Sequence, residues 1–127
     1  MTVEEINKRL EDLKFEDFVW VIYIGIIILS WYANGLEKNY FTTNNNESRE
    51  KYRSIMILIF IVLVIIYFMF LKGSYEDLQN LKDSDPEQKK QLTFISFIGA
   101  LLVFISGLLF LYIVIKDETI DVEIAFN

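Results

Sequence analysis

Residues 91–115 read QLTFISFIGALLVFISGLLFLYIVI, 25 positions without one charged side chain. A helix needs about 20 apolar residues to cross about 30 Å of hydrocarbon, so this stretch is long enough to span a bilayer. Two further uncharged stretches precede it, 18–36 with 19 residues and 54–71 with 18. The 127-residue chain is 54% apolar and 24% charged, and its charges collect between these stretches. The sequence thus predicts an all-α polytopic membrane protein with three transmembrane helices. An amphipathic N-terminal helix, an extramembrane helical hairpin between spans two and three, and a short C-terminal β-strand complete the expected fold. The predicted divisions are an N-terminal helix at 1–17, span one at 18–36, a loop at 37–53 and span two at 54–72. The hairpin at 73–91, span three at 92–115 and an acidic tail at 116–127 follow.

Composition removes several functional classes. Without Cys or His there is no disulfide framework, thiolate nucleophile, Cys- or His-ligated metal or imidazole base. The acidic segment 1–17 precedes a long apolar run, which argues against a cleavable signal peptide. The net charge of −6 is spread over segments of which none is a basic patch, so no nucleic-acid signature exists. No phosphate-loop or dinucleotide glycine pattern, paired acidic motif or calcium-loop spacing occurs, and neither an enzyme nor a cofactor is expected. Nineteen Ile, nine Lys against three Arg, and eight Asn point to an AT-rich bacterial genome.

Local signals place the element ends. Thr2 and Glu5 have capping-box spacing. Val3, Ile6, Leu10 and Leu13 follow at steps of three and four, one stripe whose expected partner is protein, because Glu4, Glu5, Glu11 and Asp12 suit a lipid surface poorly. Trp20 and Tyr23, then Trp31 and Tyr32, sit at the two boundaries of span one, and Asn34-Gly35 reads as its stop. Ser48 or Asn46 is the expected cap of the second helix, and Asp85 before Pro86 that of the third. Span two holds no Gly, Ala or Ser beyond Ser54 and is expected to face lipid. Ile120, Val122, Ile124 and Phe126 alternate with Asp121, Glu123 and Ala125, a strand period. Such a strand would pair with another copy or a partner; the alternative is an extended tail on neighbouring helices.

Candidate functional residues concentrate on span three. Ser96, Gly99, Ala100, Val103, Ser106 and Gly107 form one face of small side chains. Small faces let helix backbones approach closely in lipid. This one either packs on span one at Gly25, Ser30 or Ala33, lines the axis of a homo-oligomer, or meets a different protein. No Asp, Glu, Lys or Arg lies inside a span, which disfavours proton relays and ion-coupled transport. Glu16 and Asp17 at one end, with Lys116 and Asp117 at the other, either ring the mouths of a pore or simply mark span boundaries. The apolar positions of the two termini (Val3, Ile6, Leu10, Leu13, Ile120, Val122, Ile124 and Phe126) are candidate oligomerisation contacts.

Positive residues favour the cytoplasm. Seven lie on the side of the N-terminus and the hairpin against five opposite, which prefers a cytoplasmic N-terminus in a bacterial plasma membrane. In span count and size the layout resembles phage holins and the membrane-permeabilising effectors of bacterial defence systems. The small face of span three, the N-terminal stripe and the C-terminal strand are surfaces that one subunit cannot bury alone, and they point to a homo-oligomeric, gated, ion-permeable pore in the lipid bilayer, answering a protein or signal ligand. A non-catalytic accessory subunit of a larger membrane complex accounts for the same surfaces.

Overall fold

The computed structural model describes residues 2–124, and Phe126 lies outside them. Three helices make up the fold: α1 (Val3–Thr43), α2 (Asn46–Gln79) and α3 (Glu87–Lys116). At 1.5 Å per residue they are about 60, 50 and 45 Å long, so each passes beyond the 30 Å of hydrocarbon. All three are long and apolar enough to cross a membrane.

α1 opens with the predicted capping box. Thr2 Oγ1 accepts from the Glu5 N–H at 3.2 Å, and Glu5 Oε2 from the Thr2 N–H at 3.3 Å. The helix then runs unbroken through Asn34-Gly35, where the sequence suggested a stop, because Ala33 is fully buried and Leu36 packs on the core. Those contacts outweigh the roughly 1 kcal/mol that a helical glycine costs. The polar run beyond is helical too, with the Thr42 hydroxyl donating to the Lys38 carbonyl (2.9 Å) and that of Thr43 to the Asn39 carbonyl (2.6 Å), so both hydroxyls are satisfied within the helix. The stretch predicted as a loop is therefore helical except at Asn44 and Asn45.

These two asparagines divide the turn between them. Asn44 takes the left-handed conformation (φ 54°) that closes α1, a role short amide side chains tolerate. Asn45 caps α2, its Oδ1 accepting from the N–H groups of Glu47 and Ser48 at 3.0 and 3.4 Å. Ser48 is not the cap, for its Oγ accepts from Asn39 Nδ2 at 2.7 Å.

The second turn differs in detail from its prediction. Pro86 occupies the N-cap of α3 without a side-chain cap bond. Asp85 instead clips the turn shut: one oxygen accepts from the Lys82 N–H at 2.8 Å and the other from Lys89 Nζ at 3.3 Å.

α2 lies between the other two helices. α1 and α3 each pack against it, and no Cα of one comes within 8 Å of a Cα of the other. Tyr52, Met56, Ile59, Phe60 and Ile66 of α2 are buried, while Leu58, Ile61, Ile65, Phe68 and Met69 are exposed. The expectation that α2 faces lipid is thus corrected. Its bulky side chains suit a middle helix, which must reach neighbours on two sides. Ring pairs tie the layers together: Phe15 with Phe70 between α1 and α2, and Phe60 with Phe110 and Phe68 with Phe104 between α2 and α3, all at 5.8 Å.

The predicted C-terminal strand is absent among the described residues. After Lys116 the chain turns on Asp117, whose carboxylate accepts from the Val122 N–H at 2.7 Å and the Thr119 hydroxyl at 3.4 Å. Ile120 has φ 58°, which breaks the extended backbone that a strand requires. Ile120 and Ile124 pack on the core formed by Ala33, Tyr52 and Met56, whereas Val122 is exposed, so the alternating face is split. Burial of two isoleucines within its own protomer wins over strand pairing.

Candidate functional site

Because the outer helices do not meet, the protein carries a cleft between them with α2 as its floor. This cleft, of about 320 Å³, is walled by Ile26 and Ser30 of α1 and by Val103, Ser106, Gly107 and Phe110 of α3. Met56, Ile59, Phe60, Leu63 and Tyr67 form the floor. Ser30 and Ser106 put hydroxyls on opposite walls of an otherwise apolar space inside the spans.

The small face of α3 is divided by this arrangement. Gly107 is buried where α3 crosses α2: a β-carbon there would meet Tyr67 Cδ2 at 3.0 Å and Val64 Cγ2 at 3.3 Å. Ala100 is half-buried, while Ser96, Gly99, Val103 and Ser106 are exposed. A β-carbon at Gly99 would meet no atom within 4 Å. Contact between this face and α1 does not form, and Gly25 likewise has open space around it.

The mouth charges fall into two separated pairs. Glu16 and Asp17 lie on α1 near the Phe15–Phe70 contact. Lys116 and Asp117 lie at the opposite end, where Arg53 Nη2 donates to the Ile115 carbonyl at 3.0 Å and so answers the negative end of the α3 dipole. Lys116 Nζ stands 5.9 Å from the Tyr112 ring. Burial of the Asp117 carboxyl pushes its pKa up, but the hydrogen bonds from Val122, Asp121 and Thr119 outweigh this and leave it below the ordinary value. Asp85 is also lowered, chiefly by the Lys82 N–H and further by Lys89.

Two polar clefts flank the spans. One, of about 710 Å³, separates the first turns of α1 (Glu5, Lys8, Arg9, Asp12) from the α2–α3 turn (Asp77, Lys82, Asp85, Lys89), and Ser96 reaches its edge. The other, of about 530 Å³, lies between the C-terminal tail and Glu37, Lys38 and Tyr52. Sequence reasoning missed both: the first depends on how the predicted N-terminal helix sits against the α2–α3 turn, and the second on the helical extension of α1 through Thr43 and the fold of the tail. Among the described residues no cluster of three or more Asp and Glu could hold a metal ion. At the N-terminus Val3, Ile6, Leu10 and Leu13 are all exposed.

The fold is a small all-helical unit of three helices, each long and apolar enough to span a membrane, with an apolar cleft between the outer two. Comparison with protein families, with curated proteins and with solved structures gives no match in any of the three.

Proposed function

We propose that the chain homo-oligomerises in a bacterial plasma membrane, N-terminus cytoplasmic, to form a gated ion-permeable pore without catalytic activity. The observation that carries this reading is the uncovered part of the α3 small face. Ser96, Gly99, Val103 and Ser106 are exposed although α3 already uses Gly107 to pack on α2. A face of small residues gains little from lipid and much from a close helix neighbour. Three helices in one layer enclose no passage, so conduction requires several copies with α3 toward the axis. The passage is then lined by hydroxyls and apolar groups, as the absence of ionisable residues from the spans requires. Glu16 and Asp17 ring one mouth, Lys116 and Asp117 the other.

Ion flux from liposomes loaded with the purified chain tests the reading. Gly99→Leu is the informative variant, because its side chain enters open space in the protomer and leaves the fold intact. Flux that this variant abolishes supports an α3-lined pore. Flux unchanged by it places the path elsewhere. A chain that never conducts and stays monomeric is an accessory subunit of a larger membrane complex.

A further inference from the structure

The cleft between α1 and α3 stops short of the end of the bundle at which α3 finishes. Along the cleft its walls are open, Ser30 being half-buried and Ser106 exposed. One turn beyond Ser30, Ala33 has no exposed surface, and one turn beyond Phe110, Val114 is only 6% exposed. α1 and α3 make no backbone contact with each other, so neither wall closes over the other here.

The C-terminal tail fills the gap. It leaves α3 after Lys116, yet its residues 120–124 stand opposite Asn34, Glu37 and Lys38 of α1. A segment that starts on α3 and arrives beside α1 must cross the space between them, and Tyr52 of α2 lies beneath the crossing. Ile120 and Ile124 join Ala33, Tyr52, Met56 and Val114 in one apolar cluster. Glu118, Asp121 and Glu123 stay exposed. Carboxylates are costly in hydrocarbon, so these hold the tail at the water boundary while the two isoleucines reach inward.

The shape of the tail is held in place. The Asp117 carboxylate accepts from the Val122 N–H at 2.7 Å, which folds the chain back directly after α3. Ile120 has φ 58°, a conformation that a β-branched residue keeps only where its surroundings over-determine it.

We propose that residues 117–124 are a plug that closes the intramembrane cleft against water at this end. Met56 belongs both to the floor of the cleft and to the cluster under the tail. Lifting the plug therefore joins Tyr52 to the floor and opens one continuous groove, from the water boundary down to Tyr67. The plug is complete within a single protomer and is independent of whether α3 lines a pore.

The test is the rate at which a membrane-impermeant cationic thiol reagent labels Ser30→Cys in the full chain in nanodiscs; the chain has no native Cys. Thiolate is the reacting form and apolar surroundings suppress it, so labelling is slow while the plug is seated. Ile120→Ala combined with Ile124→Ala raises the rate at least about tenfold. Val122→Ala, a change at an exposed position of the same tail, leaves it unaltered. Ile28→Cys, exposed and about 200° round α1 from Ser30, reports the lipid side and stays slow in every background. A Ser30→Cys rate that the double alanine variant leaves unchanged overturns the plug. A rise shared by Ile28→Cys is loosening of the whole bundle and overturns it as well.

Discussion

Replacing Gly107 by Ala tests the packing of α3 on α2 with a built-in control at Gly99. At Gly107 the added methyl group meets the Tyr67 ring at 3.0 Å and Val64 at 3.3 Å. Ordinary carbon contacts are 3.5 to 4.0 Å, so either the ring or the helix must give by a few tenths of an ångström. Overpacking of this kind costs about 1–3 kcal/mol. Gly→Ala also favours the helical state by up to about 1 kcal/mol, which would mask part of that cost in a single measurement. Gly99→Ala carries the same propensity gain with no atom within 4 Å to meet. Subtracting the two isolates the steric effect: Gly107→Ala should be less stable than Gly99→Ala by about 1–3 kcal/mol. Unfolding of the reconstituted protein against the mole fraction of a denaturing detergent reads the difference. Shortening Tyr67 to Ala in the Gly107→Ala background should remove most of it, as a double-mutant cycle for residues in contact. Equal stability of the two glycine variants would refute the argument, since α3 would then not approach α2 at Gly107.

The turn and the tail make two further predictions. Asn44→Val should cost about 1–2 kcal/mol in the same unfolding assay, because a β-branched residue is placed at φ 54°, while Asn44→Gly should cost nothing. Asp117→Asn should speed exchange of the Val122 amide at neutral pH, as the carboxylate that accepts it is lost. The pH dependence follows from the lowered pKa: the stabilisation by Asp117 is full above the unfolded value of about 3.9 and disappears as pH falls through the lower folded value. A fall in the Val122 protection factor (exchange relative to the intrinsic rate at each pH) on acidification through the folded pKa, seen in wild type and absent in Asp117→Asn, checks the sign.

Three spans, the Thr2 capping box and the turn at Asp85 and Pro86 were legible because each depends on residues close in sequence. Neighbour choice was not. A helix with bulky side chains all round, such as α2, fits lipid on every side or two flanking helices equally well, and only the packing of α1 and α3 against it resolves the two. Asn34-Gly35 carried a real local signal that tertiary burial of Ala33 overrode. The alternation from Ile120 to Ile124 read as a strand because a period of two says nothing of a left-handed residue inside it. The small side chains of α3 share a face by their spacing alone, and the division of that face at Gly107 into a shielded and an open part appears only once the helices are packed.

α1 and α3 share a neighbour but no contact. Like two covers on one spine, each is held by α2, and the tail after α3 joins them at one end through Ile120 and Ile124 on the cluster around Ala33. Near its N-terminus α1 meets α2 through the Phe15–Phe70 edge contact, and farther along it meets that tail. The cleft between α1 and α3 is therefore set by how each sits on α2 and not by backbone contact between its own two walls.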